Sequence, residues 1–129
     1  MTATTVVAPN PVRAGAAFRL YWKLSMAAPG LRFDDEAAAP ITWLALPKGF
    51  RTPRHTQSAR PARKGASERS VEYEIQVDAS IEVGRHDLSG YAIVNVCDAE
   101  SGSCRVLRVP LTLSVVVRER AAVSGRKRR

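Results

Sequence analysis

The residues best suited to chemistry are two cysteines, Cys97 and Cys104. The six residues between them are mostly polar and include Gly102, a composition that predicts a tight reversal of the chain. The two thiols would then face each other at the mouth of a hairpin, within the Cα separation of about 5.5–6 Å that suits a disulfide. Closing so small a ring would stabilise the fold by roughly 2–3 kcal/mol. The pattern alone leaves three states of the cysteines open: a structural disulfide, a redox-active disulfide and two free thiols.

Other chemistry finds little support in the sequence. A closed zinc site needs four ligands, and the remaining histidines, His55 and His86, lack the spacing of a metal motif. The sequence has no GxSxG elbow, no glycine loop for phosphate and no HExxH motif. Asp34, Asp35 and Glu36 are adjacent, so they predict a solvated connection and cannot face one another across a substrate. We therefore expect neither a metal nor a cofactor.

The basic charge of the chain is concentrated in two segments. The sequence has 20 basic and 12 acidic residues, a net charge of +8, and residues 51–69 and 118–129 each hold six of the cations. Segment 51–69 has no aliphatic residue larger than alanine, which predicts a long basic loop that cannot bury a face. Neither segment contains Phe, Tyr or Trp, on which a base could stack. Both are interpreted as solubilising, and nucleic acid is disfavoured as a partner.

Strand patterns dominate the rest of the sequence. Residues on opposite faces alternate in three segments, 17–25, 71–78 and 88–97, and 105–117 is a long β-rich segment whose Pro110 suits an edge or a bend. No stretch predicts an amphipathic helix, and 129 residues suit one domain. The sequence therefore predicts an all-β, immunoglobulin-like β-sandwich of about seven or more short strands over residues 1–118, with a flexible basic tail at 119–129. Trp22 and Trp43 are predicted to lie in its core.

Membrane insertion is not indicated by the sequence. No apolar stretch approaches the ~20 residues that a helix needs to cross a bilayer. No signal peptide is visible at the start of the chain. We expect no membrane span in this chain.

The cysteine region resembles a known family. Residues 91–104 read YAIVNVCDAESGSC and are followed by the alternating run VPLTLSV at 109–115. Together they resemble the closing hairpin of the N-terminal domain of the thiol:disulfide interchange protein DsbD family. Residues 43–50, WLALPKGF, are similar to a W-x-x-L-P-x-G-F stretch of the same family.

This resemblance implies an immunoglobulin-like domain in the periplasm or another extracytoplasmic compartment, although the residues themselves do not exclude the cytoplasm. On this mapping Cys97 and Cys104 are the redox cysteines, and their partner is a thioredoxin-like or other disulfide-exchange protein. Tyr91 belongs to the supporting strand. Apart from the resemblance, Arg105 adjoins Cys104 in sequence and its charge favours the thiolate, although neighbouring strand residues point to opposite faces. If the 51–69 loop folds over the pair as the family's cap does, its cations would favour the thiolate.

Three functional hypotheses follow from the sequence. The first is a thiol–disulfide exchange module, which would make the chain a thiol–disulfide oxidoreductase domain. The second is a non-catalytic immunoglobulin-like binding module with a structural hairpin disulfide. The third is a basic-armed binder of nucleic acid or of an anionic surface. The sequence leaves the redox partner, the direction of electron flow and the oligomeric state open.

Overall fold

The computed structural model of the chain describes residues 2–26, 30–34, 39–61 and 67–120. Within these ranges the chain forms strands and no helix. In chain order the strands are β1 (Thr2–Ala8), β2 (Val12–Arg13), β3 (Ala17–Ser25), β4 (Leu31–Phe33), β5 (Ile41–Ala45), β6 (Phe50–Arg51), β7 (Thr56–Ser58), β8 (Glu68–Val77), β9 (Gly84–Asp98) and β10 (Cys104–Arg118). The all-β class predicted from the sequence is confirmed.

The strands form two sheets with the order of an immunoglobulin-like sandwich. The four-stranded sheet has the order β1-β3-β8-β6, and the six-stranded sheet has the order β2-β10-β9-β5-β7, with β4 added beside β9. Taking β1, β3, β5, β6, β8, β9 and β10 as strands A to G, these are the ABED and CFG sheets of that architecture. The other three strands are short additions, and β2 runs parallel to the end of β10.

Alternation along the long strands builds the core between the sheets. Strand β3 buries Phe18, Leu20, Trp22 and Leu24, and β8, β9 and β10 bury every second residue along much of their length. Side chains of successive strand residues point to opposite faces, so the sequence alternation translates directly into one buried and one solvent-facing side. The predicted alternation is confirmed in 17–25, 71–78 and most of 88–97, and the predicted strand at 105–117 is confirmed as β10.

The two tryptophans differ in position. Trp22 is 1% exposed, as predicted, and packs edge-on against Tyr73. The prediction for Trp43 is wrong, since its side chain is 43% exposed. Strand β5 turns Thr42 and Leu44 toward the core, and Trp43 between them therefore points outward.

The 51–69 segment has more structure than its composition predicts. It contains the end of β6, all of β7 and the start of β8, and its Ala59 and Arg69 side chains are buried. The Arg69 guanidinium lies over the Phe33 ring, 4.6 Å from its centroid, which explains how a cation is accommodated there. Residues 62–66 lie outside the described part of the chain.

A buried polar network ties this segment to both sheets. The Tyr73 hydroxyl lies 2.7 Å from the Thr42 hydroxyl and donates to the backbone carbonyls of Thr42 and His55. The Thr42 hydroxyl in turn donates to the carbonyl of Gln57. Burial raises the pKa of Tyr73, as expected for a phenol removed from water. The network joins β8 of one sheet to β5 and β7 of the other.

Among the described residues, no helix is long and apolar enough to span a membrane. Of the predicted basic tail at 119–129, residues 119 and 120 follow the end of β10. Residues 121–129 lie outside the described part of the chain.

Candidate functional site

The two cysteines form a disulfide at the tip of the longest hairpin. Cys97 stands next to the end of β9 and Cys104 is the first residue of β10, and the two lie directly opposite each other in the antiparallel ladder. The Asp98 amide donates to the Ser103 carbonyl at 2.8 Å, so the cysteines form the adjoining non-hydrogen-bonded pair. Cα atoms approach most closely in such a pair, and here they are 4.0 Å apart. The predicted hairpin is confirmed, and its strands lie closer together than expected.

The connection at 98–103 is held by its own polar atoms. The Asp98 carboxylate accepts hydrogen bonds from the amides of Glu100 and Ser101, at 2.8 and 3.2 Å. The Gly102 amide donates to the Asp98 carbonyl at 2.9 Å, and Gly102 has φ of +73°, a left-handed conformation that favours glycine. Asp98 therefore acts in the turn, and its carboxylate is occupied there.

The two cysteine residues differ in access to solvent. Cys97 is 2% exposed, because β9 is flanked by β10 on one side and by β4 on the other at this position. Cys104 is exposed at the start of β10. A disulfide is opened by a thiolate that reaches one of its sulfurs, so the accessible end of this bond is Cys104.

A carboxylate that the sequence analysis assigned to a solvated connection lies beside the disulfide. An oxygen of Asp34 and the sulfurs of Cys97 and Cys104 all lie within 4.8 Å of one another. The Asp34 amide donates to the Asn95 carbonyl at 2.8 Å, which continues the β4–β9 pairing past Phe33 and places Asp34 on the disulfide side of the sheet. The neighbouring Asp35 and Glu36 lie outside the described residues.

These three side chains carry the donor types of a metal site, two sulfurs and a carboxylate. In the oxidised protein the two sulfurs are bonded to each other, so neither is free as a thiolate ligand. In this oxidation state the cluster is an acid placed against a disulfide. The only feature of the sequence that indicates this cluster is the position of Asp34, directly after the short β-type segment 31–33.

Arg105 lies on the other side of the sheet from the disulfide. It is opposite Val96, a core-facing residue, and residues paired across a ladder share a face. Its side chain is exposed and lines a recess of about 160 Å³ that also borders Cys104. Arg105 was predicted to be a cation beside the pair. It lines the same recess as Cys104, but its side chain is on the opposite face of the sheet from the disulfide.

Tyr91 shares a strand and a face with Cys97 but is remote from the sulfurs. They are six positions apart, or about 20 Å along an extended strand. The Tyr91 ring stacks on Trp43, with centroids 6.1 Å apart and an interplanar angle of 16°. The Arg108 guanidinium covers the ring at 4.0 Å from its centroid. Tyr91 is thus the centre of a three-residue stack across β5, β9 and β10.

The basic segment at 51–69 does not pair beside the cysteines in its described part. Strand β6 pairs with β8, and β7 pairs with the outer edge of β5. Arg51 forms an ion pair with Asp78 at 2.9 Å, and Arg69 lies over Phe33 in the interior. These two cations serve the fold. At the other end of β9, Arg85 pairs with Asp87, far along the strand from the disulfide.

No known protein family matches the chain, and no curated protein matches it. The functional argument therefore depends on the disulfide and its surroundings.

Proposed function

We propose that the protein is a thiol–disulfide exchange module acting in an oxidising compartment outside the cytoplasm, where disulfides persist. The observation that carries the proposal is the asymmetry of the pair: one cysteine is exposed, the other is buried, and a carboxylate lies within 4.8 Å of both sulfurs. The resemblance of residues 91–115 to the N-terminal domain of the DsbD family supports the same chemistry.

The exposed sulfur defines the order of the exchange. A partner's thiolate attacks the sulfur of Cys104, a new S–S bond forms to the partner, and the bond to Cys97 breaks. The sulfur of Cys97 leaves with the electron pair as a thiolate and takes up a proton. A second thiolate of the partner then attacks the partner's own sulfur in the mixed disulfide and releases Cys104. The chain has gained two electrons and two protons, and the partner has become a disulfide; the same steps in reverse oxidise the chain.

The experiment that tests this proposal uses the wild-type chain and thioredoxin lacking its second, resolving cysteine. The mixed disulfide is quenched with acid, alkylated and mapped by peptide mass spectrometry. We expect the partner to be attached at Cys104. Attachment mainly at Cys97 would contradict the order, and no adduct at either cysteine would contradict exchange.

The equilibrium counterpart is the reduction potential of the pair in a glutathione or dithiothreitol redox buffer. Structural disulfides lie below about −300 mV, and exchanging ones lie above this value. We expect a value above that boundary. We also expect intact thioredoxin to reduce the bond much faster than glutathione does at the same concentration.

A second candidate function is a binding module in which the disulfide is only structural. The exposed stack of Trp43, Tyr91 and Arg108 favours it, because aromatic and arginine side chains dominate the energetics of binding surfaces. A bond that resists thioredoxin and titrates below about −300 mV would support this candidate over exchange.

A further inference from the structure

The solvent face of the six-stranded sheet carries a row of apolar side chains that begins at the disulfide. Val106 is 63% exposed and Trp43 is 43% exposed. Ile41, Tyr91 and Ile93 are partly exposed. Together these five residues are called the disulfide face. An exposed row of large apolar side chains next to a reactive bond is typical of an interaction surface.

The strand register makes this face continuous. Beside the cysteine pair, the next residues on the same side are Asn95 of β9 and Val106 of β10, which are paired with each other. Beyond them, Ile93 lies between Ile41 on one side and Arg108 on the other, followed by Tyr91 beside Trp43. From Cys97 to Tyr91 the row extends about 20 Å. This length suits a patch that a small protein can cover.

The far end of the row is a cluster of contacting side chains. The Trp43 and Tyr91 rings stack at 16°, and the Arg108 guanidinium lies 4.0 Å from the centroid of the Tyr91 ring. A preformed stack loses little conformational entropy on binding, and tryptophan, tyrosine and arginine are the residues most often found as anchors of interfaces.

The charges on the two outer faces of the sandwich differ. On the four-stranded sheet, Arg19 pairs with Glu72 and Lys23 pairs with Glu68. On the disulfide side, Arg32 lies opposite Cys97 and Arg108 opposite Ile93. Neither arginine forms an ion pair with a described residue. Asp34 also lies on this side, against the disulfide, and the two arginines remain available to carboxylates of an acidic partner.

We propose that the disulfide face is the docking surface for the exchange partner. The partner is a protein with a reactive thiol in an apolar surface, which covers Val106 and reaches the Trp43–Tyr91 stack, and with carboxylates that pair with Arg32 and Arg108. This inference rests on the exchange function proposed above. It predicts that protein thiols and small thiols are treated differently, since a small thiol needs only the Cys104 sulfur.

The test compares variants on the two outer faces by the second-order rate constant for reduction of the disulfide. Val106→Glu is matched with Val6→Glu, because Val6 is 57% exposed on the four-stranded sheet. Trp43→Ala is matched with Tyr21→Ala, because Tyr21 is 40% exposed on that same sheet. Each variant is reduced by thioredoxin and, separately, by dithiothreitol.

For the two variants on the disulfide face we expect at least a tenfold loss of rate with thioredoxin and less than a twofold change with dithiothreitol. The two matched variants should stay within twofold of the wild type with both reductants. Arg32→Glu should slow thioredoxin and reduce the salt dependence of its rate.

The outcomes separate this inference from the proposed function. If the wild type is reduced by thioredoxin and Val106→Glu and Trp43→Ala behave like their matched controls, the docking surface is overturned and exchange stands. If thioredoxin does not reduce the wild type, both proposals fail. A dimer that Val106→Glu dissociates, or single-stranded DNA binding that Trp43→Ala abolishes, would assign the face to another occupant and overturn the inference.

Discussion

Replacing Asp34 with asparagine should make the reduced cysteine pair more reactive. The carboxylate lies within 4.8 Å of both sulfurs, and a negative charge at this distance disfavours a thiolate. Asparagine keeps the size of the side chain and the backbone bond to Asn95, and it removes the charge. Arg32, opposite Cys97 on the same face, acts in the other direction and is unchanged in the variant.

The size of the effect follows from Coulomb's law. At 4.8 Å, two unit charges repel by about 0.9 kcal/mol with the dielectric constant of water and by about 3.5 kcal/mol with an effective value of 20. These limits correspond to about a fourfold and a several-hundredfold change in the thiolate population. Asp34 is half-buried and Cys104 is exposed, so screening is substantial, and we expect about a tenfold change.

The assay is the rate of alkylation of Cys104 by iodoacetamide in the fully reduced protein at pH 7, where the thiolate is the reacting species. Asp34→Asn should raise this rate about tenfold. Glu100→Gln, which removes an exposed acid from the 98–103 connection, is the control and should change the rate less than twofold. Equal rates in the wild type and Asp34→Asn would refute the electrostatic reasoning.

Two further predictions concern the polar contacts of the sandwich. Tyr73→Phe removes the hydroxyl that contacts Thr42 and should lower the free energy of unfolding by about 1–3 kcal/mol. Urea denaturation measures this loss. An equal loss in Tyr21→Phe, at an exposed tyrosine, would contradict a stabilising role of the network. Hydrogen bonds from the Ser114 hydroxyl and from Arg85 lower the pKa of Asp87. Because this pKa is lowered by folding, the carboxylate stabilises the protein above its ordinary pKa and loses this effect as pH falls through the folded value. Ser114→Ala should raise the pKa of Asp87 toward its ordinary value in an NMR titration, and an unchanged titration would contradict this assignment.

The sequence is a good guide to the sandwich and to the hairpin that carries the cysteines. Period-two alternation identifies strands whose one face is buried, and 71–78 and 105–117 have that pattern. Alternation does not predict the buried face of 41–46, because Ile41, Trp43 and Leu44 are all apolar. In such a run the hydrophobic pattern does not show which set of residues points inward. The outward direction of Trp43 follows from pairing with β9, which is long-range information.

The site is less predictable than the fold for a related reason. Asp34 and the cysteines are more than 60 positions apart in the sequence, and β4, which brings them together, has only three residues. Strands this short have no periodicity of their own. Arg105 is the simpler case: it adjoins Cys104 in sequence, and period-two alternation along β10 already predicts that its side chain points to the opposite face.

The placement of the disulfide at the tip of β9 and β10 has a consequence for repeated turnover. The bond closes a ring of only eight residues, while the ladder of these two strands continues for thirteen further residue pairs, with core side chains along it. Breaking the bond therefore releases a constraint on a short local segment and leaves the contacts that hold the sheets together in place. We therefore expect the sandwich to stay folded when the bond is reduced, which the proposed exchange function requires.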